Sequence, residues 1–154
     1  MNIVKKLIFD MDGTIADFYS VPNWLLYLEN ENPKPYQAAK PLVNMQELNQ
    51  ELKRLKKLGW IICITSWLSK NSSKEFKKVV RLTKKEWLLK QGMLFDELHF
   101  VQYGTPKQKC TKADVQILLD DNAKVCKSFE NAERHRIAIN PLEVDIIAYL
   151  KKIN

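Results

Sequence analysis

Trp60-Ile61-Ile62-Cys63-Ile64 is an unbroken apolar run, and it constrains the fold more than any other stretch of the chain. A half-buried strand would alternate apolar and polar residues, and an amphipathic helix would repeat them at three- and four-residue steps. A β-branched run with no polar face fits a strand buried on both sides, as at the centre of a parallel sheet. Its neighbours agree. Met45, Leu48, Leu52, Leu55 and Leu58 form one apolar stripe, so 45–58 reads as a helix with Gly59 as its C′ residue. Leu7-Ile8-Phe9 belongs to a first strand from about Lys5 to Phe9; further strands are expected within 95–101, at 115–119 and at 136–139. Ser72-x-x-Glu75 and Thr83-x-x-Glu86 are capping-box patterns, the second opening a helix that Gly92 ends, and a last helix is expected from Pro141 to about Lys152. Strand and helix alternate throughout, which predicts an α/β protein: a central parallel sheet with helices on both faces.

The chain has 154 residues, enough for a single domain spanning 1–154 with a proper core. Residues 18–44 stand apart as a small cap after the first strand. Trp24–Leu28 is an apolar helical turn, and 30–41 carries three prolines and reads as a loop. The aromatics Phe18, Tyr19, Trp24 and Tyr27 either line a pocket or form the core of that cap. A net charge of +7 suits an anionic partner such as a nucleotide, a phosphate ester or nucleic acid. The basic pairs are spread along helices, as solvated faces are, and no aromatic-basic RNA-binding signature is present. Cys63, Cys110 and Cys126 are odd in number and lack paired spacing, which argues against a disulfide framework. With no signal-like or membrane-spanning run, the expected setting is soluble and cytoplasmic. His99 and His135 have no partner motif and read as structural.

Three of the expected strands end in residues that carry oxygen: Asp10/Asp12, Thr65/Ser66 and Asp120/Asp121. In an open parallel sheet the working site lies outside the carboxyl ends of the strands, so these groups converge. Asp10 and Asp12 sit two residues apart where a strand gives way to Gly13-Thr14. Two carboxylates so placed repel each other unless a cation or a reacting group lies between them. Taken alone, the stretch could equally be a solvated Asp-Gly turn.

Asp10-x-Asp12-Gly13-Thr14, a strand ending in Thr65, a lysine before the fourth strand, and Asp120-Asp121 together resemble motifs one to four of the haloacid dehalogenase (HAD) superfamily, in order over residues 5–125. The flanks Phe9 to Phe18, Thr65-Ser66, Lys84-x-x-Trp87, and Ala113-Asp114 before Leu118-Leu119 are similar to its 5′(3′)-deoxyribonucleotidase branch, the cytosolic type C group. The resemblance implies a Rossmann-like phosphatase. Asp10 is then the nucleophile that forms an aspartyl-phosphate, and Asp12 the general acid–base. Mg²⁺ is implied, held by Asp10, the backbone oxygen of Asp12, and Asp121; Asp120 sits behind it holding the lysine, or is the alternate ligand. Thr65 and Ser66 contact the phosphoryl group. Lys107 neutralises it, with Lys109 the second choice and Lys112 also in range. Gly13 and Thr14 shape the phosphate loop, Lys84 contacts substrate and Phe18 stacks on a base. The implied substrate is a small phosphomonoester, a (deoxy)nucleoside monophosphate. Polynucleotide ends are the alternative substrate, and a binding protein of HAD fold without turnover is the alternative class. The segment between Phe18 and Leu48 is shorter than in the nucleotidases, and it is the part that selects the leaving group.

Overall fold

A computed structural model describes residues 2–154. The chain forms β1 (Lys5–Phe9), α1 (Trp24–Glu29), α2 (Lys34–Ala38), α3 (Met45–Lys57), β2 (Trp60–Trp67), α4 (Lys74–Gln91), β3 (Glu97–Val101), β4 (Val115–Leu119), α5 (Ala123–Phe129), β5 (Arg136–Ile139) and α6 (Ile146–Lys151). All five strands are parallel, in the order β3-β2-β1-β4-β5. This is the α/β, Rossmann-like architecture expected from the sequence.

The pleat sorts side chains to two unequal faces. Leu7, Phe9, Ile62, Ile64, Ile117 and Leu119 point to one face. There they pack against Leu48, Leu52 and Leu55 of α3, Trp87 and Leu88 of α4, and Ile146 and Leu150 of α6. Ile8, Cys63 and Leu118 point to the other, where Phe129 of the seven-residue α5 is their buried partner. The first face holds the main core. The second is covered over only part of its length.

Element boundaries depart from the sequence reading at four places. Helix α4 is one continuous helix, capped by Ser73, whose hydroxyl accepts from the Phe76 N–H at 3.1 Å. Thr83 lies inside it, and its hydroxyl donates back to the Val79 carbonyl at 2.7 Å, so the second capping pattern opens nothing. Residues 30–41 are not all loop, since α2 forms there with Pro35 in its first turn, where a missing N–H costs no helical bond. Strand β2 runs on to Trp67, past Thr65-Ser66. Pro141 does not begin the last helix; Asp145 caps α6 by accepting from the Ala148 N–H at 2.8 Å.

The 18–44 segment leaves and rejoins the sheet beside one point. Ala16 bridges Pro41, the Asp17 N–H donates to the Lys40 carbonyl at 2.7 Å, and the Leu42 N–H to the Ile15 carbonyl at 2.9 Å. Its Phe18 and Tyr36 are buried with Leu68 after β2 and with Phe76 and Val80 of α4. The Trp87 indole N–H donates to the Ala39 carbonyl at 2.7 Å. The segment is thereby anchored above the carboxyl ends of β1 and β2.

Candidate active site

Strand register assembles the site. Phe9 pairs with Ile64 on one side and with Leu119 on the other, so one residue further on Asp10, Thr65 and Asp120 stand at the same level. One carboxylate oxygen from each of Asp10, Asp120 and Asp121 lies within 4.8 Å of the others. Lys107, in a short 3₁₀ turn, is buried between them; its ammonium donates to Asp10 Oδ1 at 2.7 Å and to Asp120 Oδ2 at 2.6 Å. Of the three lysines in range, Lys107 is the one that reaches the carboxylates. Lys109 and Lys112 are exposed.

Gly13 has φ +82°, a left-handed conformation that L side chains rarely adopt, and a Cβ there would run into the Asp121 carboxylate. The turn after β1 and the end of β4 are therefore mated surfaces. Thr14 ties them together: its hydroxyl lies 3.2 Å from Asp10 Oδ2 and 3.3 Å from Asp121 Oδ1, and accepts from the Asp121 N–H at 3.2 Å. Asp120 also accepts from the Asn122 N–H at 2.9 Å. Asn122 in turn caps α5.

Lys84 sits on the buried stripe of α4, four residues after Val80 and four before Leu88, and is 1% exposed. All three of its N–H groups are used. They donate to Asp12 Oδ2 at 2.9 Å, Ser66 Oγ at 2.7 Å and the Trp67 carbonyl at 2.8 Å. The lysine expected to touch substrate is thus packed beneath Asp12, with no donor left over. Thr65 is fully buried, and among the described residues its hydroxyl has no partner.

The charges do not balance. Asp10, Asp12, Asp120 and Asp121 face two ammonium groups, which leaves two negative charges, the match for one divalent cation. The pKa shifts carry the same message. Burial and then the nearby Asp10 push Asp121 up to about 7 and Asp120 up to about 6. Burial raises Asp12 as well, against the opposing pull of Lys84. For Lys107 desolvation pulls downward, but Asp10 and Asp120 outweigh it and keep the ammonium charged well above the usual lysine range.

These groups form the floor of a cavity of about 620 Å³. Asp10, Asp12, Ser66, Lys107, Asp120 and Asp121 line it; Gly13, Thr14, Thr65, Lys84 and Lys109 do not. Its mouth is aromatic. On one side Tyr19 and Trp24 meet edge to face at 5.1 Å. On the other, Trp67 and Tyr103 pack at 4.9 Å, with the Trp67 indole held by the Thr105 carbonyl at 2.8 Å and the Lys70 ammonium 5.5 Å from the Tyr103 ring. Phe18 also lines the cavity, but it is 3% exposed and has Tyr19, Trp24 and Tyr36 around its ring. The sequence reading missed Trp67, Lys70 and Tyr103. The available signal was Trp67 directly following Thr65-Ser66. His99 pairs with Glu97 at 3.1 Å and His135 is exposed, and neither lines the cavity.

No protein-family model matches the chain, and no curated protein is similar to it in sequence. Among solved structures it is similar to D,D-heptose 1,7-bisphosphate phosphatase from B. bronchiseptica complexed with magnesium and phosphate. That likeness has 12% identity and a TM-score of 0.51, over 88% of this chain and 79% of the other. The corresponding enzyme from Burkholderia thailandensis matches at 12% identity and a TM-score of 0.48, over 80% and 70%. At this identity the first likeness establishes a shared fold. Among the described residues no helix is long and apolar enough to cross a membrane.

Proposed function

We propose that the protein is a Mg²⁺-dependent phosphomonoester hydrolase working through an aspartyl-phosphate on Asp10. The observation that carries this reading is the Lys107 ammonium set between Asp10 and Asp120, with Asp121 alongside and two negative charges left for a divalent cation. A structural neighbour that holds magnesium and phosphate supports it. Asp10, Asp121 and the backbone oxygen of Asp12 would hold the ion, with Asp120 as alternate ligand; when bound, it screens the carboxylate–phosphate repulsion and polarises the phosphoryl oxygens.

The chain's own groups divide the remaining work. Asp12 takes up a proton from solvent, which burial helps it to retain; an Asp10 oxygen then bonds to phosphorus as the ester oxygen leaves, and that oxygen takes the Asp12 proton. Asp12, now a carboxylate, accepts a proton from water as the water oxygen attacks phosphorus and the Asp10–phosphorus bond breaks. Lys84 holds Asp12 in place through both steps. Lys107, Thr65 and Ser66 stabilise the phosphoryl oxygens, while Gly13 and Thr14 fix the turn that presents Asp10.

For the leaving group we infer a (deoxy)nucleoside monophosphate, with residues 18–44 acting as a small cap. The supporting observation is a mouth with aromatic rings on two sides, which offers flat faces to a base. Asp10→Asn is expected to lower turnover of an aryl phosphate with Mg²⁺ by at least about 10³-fold while the circular dichroism spectrum stays unchanged. Retained turnover would sink the hydrolase reading. A panel of nucleoside monophosphates, sugar phosphates and end-phosphorylated oligonucleotides tests the leaving group. A KM that climbs steeply with salt only for oligonucleotides would move the assignment to polynucleotide ends.

A further inference from the structure

The sheet face that α5 covers only in part carries a polar row toward the amino ends of the strands. Register places Lys6, Gln116 and Arg136 side by side on β1, β4 and β5, two residues before the apolar row of Ile8, Leu118 and Ala138. Lys6 is satisfied by Glu97 at 2.8 Å and by the Thr111 hydroxyl. Its two neighbours are not. The Gln116 side chain is 5% exposed with its Oε1 unpartnered, and the Arg136 Nε–H is buried and equally unpartnered. Adjacent in register, a donor and an acceptor are both left open, although buried polar groups are ordinarily paired.

Both residues line a second cleft, of about 480 Å³, set away from the catalytic carboxylates. Lys109, Lys112 and Arg134 complete its charged wall. Among the described residues none of its four cations makes an ion pair with a carboxylate, whereas Lys6, Lys84 and Lys107 all do. Arg136 is also steered, its guanidinium lying 5.9 Å from the centre of the Phe129 ring. Four unpaired cations around a concave floor with a free N–H make a receptor for a tetrahedral oxyanion. A guanidinium offers phosphate a planar fork of donors. The Gln116 amide, beside it, has an NH₂ that donates to the Ala113 carbonyl at 3.5 Å and keeps a second N–H for the same guest.

We infer that this cleft is a second anion site, one that binds a phosphate group apart from the catalytic pocket. The shared chemistry is a phosphate oxyanion, supplied either free in solution or by the phosphodiester of a strand. The test uses the Mg²⁺-loaded protein, isotopically labelled, with the Arg136 Nε–H and the Gln116 side-chain amide as reporters. One probe is inorganic phosphate. The other is hexathymidylate with hydroxyls at both ends, which offers the catalytic pocket no phosphomonoester. Saturable shifts at both reporters with phosphate alone support a free-anion site; shifts with the oligonucleotide at lower concentration support a strand site. The double variant Lys112→Glu/Arg134→Glu alters two exposed side chains. It should weaken the responding probe by about ten-fold or more, since binding here is chiefly electrostatic, and leave aryl phosphate turnover unchanged. Reporters that do not move with either probe beyond a chloride control of equal ionic strength, or equal affinity in the double variant, would overturn the proposal.

Discussion

The floor and the mouth of the main cavity are built on opposite principles. Each charged group on the floor is held by at least one other: Lys107 by Asp10 and Asp120, Asp12 by Lys84, Asp121 by Thr14. Strand register sets their spacing. The mouth is held by ring contacts, Tyr19 with Trp24 inside the segment inserted after β1 and Trp67 at the end of β2 with Tyr103 after β3, and two of its rings, Tyr19 and Tyr103, are about half exposed, at 53% and 49%. A floor so constrained suits one chemistry on many substrates. On the proposed reading, a mouth so adaptable is where one substrate is told from another.

The largest predicted effect lies at the floor. Lys107→Met should lower kcat by about 10²–10³-fold on every substrate alike, because in the proposed mechanism the ammonium serves the phosphoryl group rather than the leaving group. A loss confined to nucleotides would blur the division between floor and mouth. The mouth should answer the other way. Tyr103→Ala should raise KM for a nucleoside monophosphate by about ten-fold, the worth of one stacking contact, and leave glycerol phosphate unaffected. Phe18→Leu is the control. If Phe18 is core rather than contact, thermal stability falls and the substrate ranking stays the same.

The smallest effect, and the sharpest, concerns the cost of the floor itself. Asp120 and Asp121 hold protons up to about 6 and about 7 when folded, against an ordinary 3.8. Between those values the native state binds more protons than the unfolded chain, so their contribution to stability is full below 3.8 and is lost as pH rises through 6 to 7. In chelator, Asp121→Asn should therefore melt higher than the parent at pH 8 and no higher at pH 4. With Mg²⁺ the order at pH 8 should reverse. A scanning calorimeter reads all three cases; an unchanged melting temperature in chelator at pH 8 would show that the acids do not burden the fold.

The sheet was legible because its strand β2 is a long apolar run rich in β-branched residues, set between turn signals. Trp60–Ile64 and Val115–Leu119 both read correctly as strands. What failed were patterns with two meanings. Thr83-x-x-Glu86 looks like a helix start, but inside a helix the threonine hydroxyl simply bonds back one turn. Prolines mark loops, yet Pro35 stands in the first turn of α2. Strand ends alone pointed to Asp10, Thr65 and Asp120, which stand at one level of the sheet. They could not show that Lys84 has all its donors committed, because its partners lie 17, 18 and 72 residues away. A lysine four residues from Val80 and four from Leu88 was nonetheless out of place on an apolar stripe, and that was the missed clue. Trp67 and Tyr103 escaped because their pairing depends on the end of β2 meeting the loop after β3, which no local pattern encodes.

The close seat of Gly13 against Asp121 has a kinetic corollary. The carboxylates from the ends of β1 and β4 are more than a hundred positions apart in the chain, and they meet only after those strands have paired and the Gly13 turn has docked. An ion finds no such nest in the unfolded ensemble and little of it in a folding nucleus made of local contacts. Mg²⁺ should therefore act as a brake on unfolding and not as a spur to folding: the unfolding limb of the chevron drops with added metal while the refolding limb stays in place.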